Sequence, residues 1–446
     1  MSWIQNIKEL ITTARAEGKA PAVPLVNMNI GDMGENIVKK TRGDKMIWAI
    51  VIILTLASLL LIYSSTGSLA YRNKNTTEVY LVKQLGLILG GFILIYFAHG
   101  VNYTFYNRIA VPAFLLSLPL LVYTLFFGVQ LNEGSRWIKL PVINQTFQTS
   151  DFAKLALIIF MSKILSKRQA VIKTFWKGYF PLMGSLVLIC GLVAPANLST
   201  AILMAGTGFI LMFIGRVNGK HLFLTFCLAL IPIIFLITVA VNNYDEKNHQ
   251  MGRLPDVLNV GRVPTWVSRI QTFIYGSKNE DNEKLYQINQ AKIAIANGGW
   301  LGNGPGNSVQ RNFLPHCYSD FIYAIIVEEY GWVGAFFVLG LYLLFLFRCI
   351  RIFRKCPYAF GAFLALALSF MLVVQAMVNM GVNVSLLPNT GVTLPLISMG
   401  GSSFLFTCAS IGIILSVARN VEVMEGGEML SDIKEQAPAE EAKSDA

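Results

Sequence analysis

Long apolar runs separated by short basic loops constrain this chain more than any other feature. A bilayer core is crossed by about 20 consecutive apolar residues in a helix, because backbone N–H and C=O groups in lipid find partners only within their own segment. Ten such runs are predicted, over 46–66, 79–98, 109–128, 151–166, 178–194, 198–215, 221–241, 320–347, 358–383 and 396–418. The expected fold is an all-α polytopic membrane protein. With 54% hydrophobic and 14% charged residues, the chain lies outside the range of a soluble domain. A net charge of +11 would suit nucleic acid, but the basic residues fall mainly in the short loops, which excludes nucleic acid as a partner and points to membrane lipid.

The fourth run is the weakest, since Asp151, Lys154, Ser162 and Lys163 interrupt it. Pro195-Ala196-Asn197 joins the fifth and sixth as a tight hairpin, and the eighth is long enough to tilt or project. Lys39, Lys40, Arg42 and Lys45 precede the first run. Lys163, Lys167, Arg168, Lys173 and Lys177 follow the fourth, Arg216 and Lys220 the sixth, and Arg348, Arg351, Arg354 and Lys355 the eighth. With ten spans all four groups fall on one side, which the positive-inside rule makes cytoplasmic. Both termini are then cytoplasmic and the polar 242–319 loop is external. The divisions are a 1–45 segment, spans one to seven over 46–241, the external loop, spans eight to ten over 320–418, and a tail over 419–446. The polar 1–45 segment offers no cleavable signal peptide. That segment and the acidic tail after Glu422 read as unstructured or only locally helical.

Six cysteines give no disulfide framework, and four histidines show no paired-ligand spacing for zinc. The residues suited to chemistry lie in four patches on the outer side. GSRWIKL at 134–140 and FQTSDFAKLAL at 147–157 supply Arg136, Trp137, Asp151 and Lys154; Asp151 and Lys154 share a helix face, while Ser150 with Asp151 also reads as a helix cap. ANLSTAIL at 196–203 places Asn197 and Ser199 at a helix start, where capping is the simpler role. YQINQAKIAIANGGWLGNGPGNS at 286–308 opens as a short amphipathic helix and ends in five glycines within nine residues, a density that lets backbone approach a ligand or take positive φ. In 379–403, Pro388, Gly391 and Pro395 break an apolar stretch into helix, re-entrant turn and helix, and Gly400-Gly401-Ser402-Ser403 enters the last span. Asp320 stands at the mouth of the eighth span, where a carboxylate is costly and tends to be functional. Glu328 and Glu329 follow about two turns later; at most one faces Asp320, and pairing with an internal Lys or Arg competes with a functional role.

Taken together and in order, GSRWI, FQTSDFAKL, the glycine-rich segment, LPHCYSDFIYAIIVEEYGWVG and LLPNTGVTLPLISMGGSS resemble the SEDS family, the shape, elongation, division and sporulation peptidoglycan polymerases typified by FtsW, RodA and SpoVE. The resemblance spans about 42–420 and is greatest to the FtsW division branch. It implies ten membrane helices with a large outer loop between the seventh and eighth, and a glycosyltransferase that joins lipid II into glycan strands. It places the family's essential aspartate on Asp320. The chain departs from the family pattern at His316-Cys317-Tyr318-Ser319, where Glu-Ala-His-Thr is usual, at Thr149 and Asp151, at Ala196-Asn197-Leu198-Ser199-Thr200, and at Asn312. On this reading Asp320 is the general base, Arg136, Lys154, Arg262, Arg269 and Lys292 hold the pyrophosphate of the undecaprenyl leaving group, and Gly304 and Ser402 complete the substrate-binding set. Such chemistry admits a divalent cation, Mg or Mn, although no acidic cluster to hold one is visible. The implied partners are a class B penicillin-binding protein of the FtsI type and other membrane proteins of the divisome. A lipid II flippase, a division scaffold with an idle polymerase site and a RodA-type role in elongation are the alternatives.

Overall fold

The computed structural model describes residues 43–72, 74, 76–131, 134–139, 146–245, 250–251, 262–275 and 283–444. The expected order of the first 45 residues and the side chain of Arg136 lie outside what it describes, Gly43 to Lys45 excepted. A helix stands at each of the ten apolar runs. These are α1 (Lys45–Ser65), α3 (Thr77–Gly100), α4 (Tyr103–Phe127), α5 (Thr149–Lys167), α6 (Phe180–Val193), α7 (Leu198–Ile214), α8 (Gly219–Asn242), α11 (Ile322–Lys355), α12 (Ala359–Asn383) and α13 (Ser402–Ser444). Three shorter helices join them: α2 (Gly67–Arg72), α9 (Val263–Tyr275) and α10 (Glu283–Gly298). Among the described residues, eight helical stretches are long and apolar enough to cross a membrane; α7 is a shorter apolar helix, and the charged α5 is not among the eight.

Short polar side chains fix several helix starts. Asp44 Oδ1 accepts from Met46 N–H at 2.9 Å and Ile47 N–H at 3.3 Å, opening α1. Asn102, Asn197 and Asn218 do the same for α4, α7 and α8, each satisfying a donor that has no intrahelical partner. Ser150 does not cap α5: it lies inside the helix and accepts from Gln148 Nε2 at 2.9 Å. Strand chemistry upstream extends the chain to Gln148 and moves the helix start earlier. A three-stranded antiparallel sheet, β1 (Val129–Leu131), β2 (Gly134–Lys139) and β3 (Thr146–Gln148), forms there and pairs Trp137 with Gln148. Arg136 is therefore a strand residue.

Helix α12 is the axis of the bundle. Its apolar window is 78% buried, and it packs on α5, α7, α11 and α13; by contrast only 11% of the α8 window is buried, leaving that helix a largely apolar free face. The α3–α13 pair is close because its contacts are small. A Cβ on Gly412 would meet Ala98 Cβ at 2.6 Å, and one on Gly91 would meet Cys408 Sγ at 2.7 Å.

Two irregular segments shape one end of the bundle. Residues 384–401 leave the helical path between α12 and α13, as the Pro and Gly spacing predicted, but α13 starts at Ser402 rather than near residue 396. Leu396 and Gly401 both adopt positive φ, which prevents an earlier helix start. Helix α13 then stays helical to Ser444, well past the membrane-compatible stretch that ends at Met424. The tail expected to be unstructured or locally helical is thus helical in backbone, in keeping with its Glu, Ala and Lys content. Helix α11 is broken at Gly331 (φ 66°, ψ −170°).

Candidate active site

A cavity of about 480 Å³ opens where several helix ends meet. Trp137 of β2, Gln148, Asp151 and Lys154 of the β3–α5 junction, and Asn197 and Thr200 of α7 form one wall. Arg269 and Thr272 of α9 and Gln287 of α10 form another. His316, Ser319 and Asp320 close it together with Gln375 of α12, the irregular segment from Asn389 to Gly401 and Ser403 of α13.

Asp320 is half-buried and lies in the turn just before α11. Ser319 Oγ donates to its Oδ1 at 3.0 Å. A Cβ built on Gly391 would stand 3.5 Å from Asp320 Oδ2, so bare backbone faces the carboxylate there. Lys154 Nζ pairs with Asp151 Oδ1 at 2.7 Å, the two side chains being 10% and 2% exposed. The other Asp151 oxygen is buried without a hydrogen-bond partner. A paired lysine at the start of a helix explains why its charge opposes the helix dipole: the aspartate one turn earlier compensates it.

The cavity unites Asp320, Lys154 and Arg269 from the predicted set. Arg262, Lys292, Gly304 and Ser402 stand apart from its lining. Arg262 donates to the Ala196 carbonyl through Nη1, tying the α9 entry to the α6–α7 hairpin. Lys292 is exposed on α10. Ser402 Oγ is buried and accepts from Gln148 N–H at 3.2 Å, joining α13 to β3, while its neighbour Ser403 reaches the cavity.

Gly304 and the glycine-rich loop lie against α11. Asn303 and Gly304 N–H donate to the Glu328 and Glu329 carbonyls at 2.9 and 3.0 Å, and Trp332 and Val333 N–H donate to the Gly299 and Trp300 carbonyls at 3.1 and 3.3 Å. The loop is thus laid backbone to backbone along the break in α11. A Cβ on Gly298, Gly302 or Gly331 would fall within 2.3 Å of a main-chain oxygen across this seam. The glycines were legible as close approach; that the approaching surface is a helix of the same chain was not.

Glu328 and Glu329 face this seam rather than the cavity. Glu328 accepts from Ser308 Oγ and from the Val309 and Gln310 N–H groups, and Glu329 accepts from Ser64 Oγ. Arg311 Nη1 donates to the Ser64 carbonyl at 3.0 Å, so the pair is held largely by hydroxyl and backbone donors. Cys317 is buried beside it, its Sγ 3.2 Å from the Ser65 carbonyl, and burial pushes that thiol up to about 12. All six cysteines are free thiols. Among the described residues no three His, Cys, Asp or Glu side chains converge to hold a metal ion.

Sequence reasoning missed the residues that hold the Asp320 turn. Asn379 Nδ2 donates to the Asp320 carbonyl at 2.8 Å and Asn383 Nδ2 at 3.0 Å. Two asparagines four apart on an apolar helix were the available signal, since such groups are buried only with partners. The irregular segment is held from several helices as well: Gln375 Nε2 donates to the Thr393 carbonyl, Ser58 Oγ to the Ile397 carbonyl and Tyr342 Oη to the Pro395 carbonyl. Backbone that leaves the helical ladder thereby keeps its acceptors satisfied.

Known proteins match this arrangement along most of the chain. Residues 44–423 match the FTSW_RODA_SPOVE family model, described as a cell cycle protein. A probable peptidoglycan glycosyltransferase FtsW from Geobacter sp. (strain M18) is 32% identical over 386 residues, covering 85% of this chain and 98% of the relative. Stage V sporulation protein E of Bacillus subtilis (strain 168) is 31% identical over 392 residues, covering 85% and 98%. Among solved structures, a chain from the work titled "Structural coordination of polymerization and crosslinking by a peptidoglycan synthase complex" aligns with TM-score 0.65 at 23% identity over 85% of this chain and 98% of its own. The rod shape determining protein RodA of Thermus thermophilus aligns with TM-score 0.57 at 24% identity over 85% of this chain and 97% of its own. The solved structures bear on the fold, and the family follows from the matched length and the sequence relatives: the chain is a multi-pass bacterial membrane protein and belongs to the FtsW/RodA/SpoVE family.

Proposed function

We propose that this protein is a peptidoglycan glycosyltransferase that polymerises lipid II into glycan strands on the outer face of the cytoplasmic membrane during cell division. The supporting observation is the convergence of one carboxylate, Asp320, with two cationic side chains, Lys154 and Arg269, on a single cavity at one end of the bundle. The relatives' names supply the reaction class.

Strand growth forms a bond between a sugar 4-oxygen and an anomeric carbon, and breaks the bond from that carbon to the pyrophosphate of the undecaprenyl carrier. Asp320 accepts the hydroxyl proton as attack proceeds. Lys154 and Arg269 stabilise the charge that gathers on the departing pyrophosphate, an effect strongest in a water-poor site. Asp151 holds Lys154 toward the cavity. Arg136 adjoins Trp137 on β2 and is a further candidate for the anion. Arg262, Lys292, Gly304 and Ser402 take supporting rather than substrate-touching roles. Among the described residues the donor set forms no protein-built metal cage.

In this reading all ten helices cross the membrane, both termini are cytoplasmic and the cavity faces outward. A class B penicillin-binding protein of the FtsI type cross-links the strands, and other divisome proteins bind alongside. The cavity lies at helix ends rather than midway along a path open to both faces, which favours a polymerase over a flippase. An idle scaffold would have no use for Asp320.

The test supplies labelled lipid II to purified protein, with and without its penicillin-binding partner, and compares Asp320→Ala and Asp320→Asn. Strands from the wild type that vanish in both stable variants are expected. Strands that persist in the variants would remove Asp320 from the mechanism. A wild type that makes none even with the partner would turn attention to lipid II translocation or scaffolding.

A further inference from the structure

Asp320 sits in a turn whose consecutive carbonyls are all held from outside. Met399 N–H donates to the Tyr318 carbonyl at 3.0 Å, and Ser398 Oγ to the Ser319 carbonyl at 2.6 Å. The Asp320 carbonyl takes two donors, Asn379 Nδ2 and Asn383 Nδ2. Both asparagines are 1% exposed, where an amide without partners is costly. Asn379 Nδ2 also donates to the Val392 carbonyl at 2.7 Å, so one side chain joins α12, the Asp320 turn and the irregular segment over the cavity.

Asn383 does more. Helix α11 begins after Phe321, which has no side-chain acceptor to cap it. Asn383 Oδ1 accepts from Ala324 N–H at 3.1 Å, sharing that donor with the Phe321 carbonyl at 3.1 Å. Another helix thus supplies the cap that the local sequence lacks, while the same amide grips the carbonyl of Asp320. Its Nδ2 also donates to the Asn379 carbonyl one turn earlier at 2.8 Å and to Asn379 Oδ1 at 3.4 Å, which fixes its rotamer.

We propose that Asn379 and Asn383 are positioning residues for the reaction, a clamp from α12 on the main chain of Asp320 that sets where its carboxylate meets the attacking hydroxyl. The inference rests on the polymerase reading above. Neither amide reaches the substrate; each acts through the peptide of Asp320. A base displaced by about 1 Å loses on the order of 100-fold in rate while substrate affinity is spared.

The experiment compares wild type with Asn379→Ala, Asn383→Ala and Asn383→Asp in the complex with the penicillin-binding partner. Asn383→Asp keeps the acceptor for Ala324 N–H and loses both donors, separating the cap from the grip on Asp320. Lipid II turnover is read as kcat and KM, with hydrogen exchange over the whole chain. The expected result is a kcat lower by about 10- to 100-fold with KM within about twofold, and faster exchange confined to 318–324. Unchanged exchange in that segment, or faster exchange there with unchanged kcat, would overturn the inference. So would faster exchange across the entire bundle with kcat and yield falling together, which marks plain packing residues. A wild type making no strands would defeat the polymerase reading and this inference with it. An active wild type with active, locally loosened variants would defeat the inference alone.

Discussion

Replacing Gly331 by alanine tests how the glycine-rich loop is fastened to α11. A Cβ there would lie 2.2 Å from the Trp300 carbonyl oxygen, 2.4 Å from its carbon and 2.6 Å from Gly302 N. Carbon contacts settle near 3.5 Å, so the loop must retreat by about 1 Å. Four inter-segment hydrogen bonds span this seam, at 2.9, 3.0, 3.1 and 3.3 Å. At a net of about 1 kcal/mol each, their loss costs about 4 kcal/mol. The backbone at φ 66° and ψ −170° is a region that essentially only glycine enters, adding about 1–3 kcal/mol. The sum, on the order of 5–7 kcal/mol, is a large part of a typical protein's total stability. Gly340→Ala is the control: it lies in the same helix with nothing within 4 Å of the added carbon. Alanine there favours the helix by up to about 1 kcal/mol. Thermal unfolding of purified protein, followed by tryptophan fluorescence, reads both variants, and limited proteolysis of the 298–306 loop reads the local effect. A Gly331→Ala protein that melts and resists protease as Gly340→Ala does would refute the seam as a stabilising contact.

Other expectations follow from paired charges and the buried thiol. Lys154→Met leaves Asp151 charged and buried, and is expected to cost about 3–5 kcal/mol in unfolding measurements as well as strand synthesis. Asp151→Asn with Lys154→Met should restore stability but not synthesis; recovered synthesis would show that Lys154 has no role in the reaction. Arg348 Nη2 meets Asp44 Oδ2 at 2.7 Å while Asp44 Oδ1 caps α1. Asp44→Asn keeps the cap and should cost about 1 kcal/mol or less, because the arginine is partly solvated, whereas Asp44→Ala should cost roughly 1 kcal/mol more. Equal melting of the two variants would show that the cap contributes nothing. Since burial raises the Cys317 thiol to about 12, its thiolate appears only as pH climbs toward that value. Maleimide at pH 8 should leave Cys317 unlabelled in folded protein and label it after unfolding, as read by peptide mass spectrometry; rapid labelling of folded protein would contradict its burial.

Much of this architecture was legible because lipid imposes a strict rule on backbone. Apolar runs placed the ten helices to within a few residues in most cases, Asn197 marked a helix start, and Pro388, Gly391 and Pro395 announced broken backbone. Asp320 and Lys154 were chosen from residue type and position and do share one cavity. Arg262, Lys292, Gly304 and Ser402 carry suitable chemistry and stand outside the cavity lining, because which way a side chain points depends on packing between distant segments. Arg262 meets a hairpin carbonyl, and Ser402 meets β3 across the bundle.

Hydrophobic periodicity and charge asymmetry act locally along the chain, so the sequence by itself determined a multi-helix membrane protein with one long polar loop and a carboxylate at its edge. Only the tertiary structure decided that the glycine-rich loop would lie against Gly331, that Glu328 and Glu329 would turn toward that loop, and that Asn379 and Asn383 would grip Asp320 from another helix. Each outcome satisfies buried polar groups with partners tens of residues away, and sequence spacing carries no direct record of such pairings.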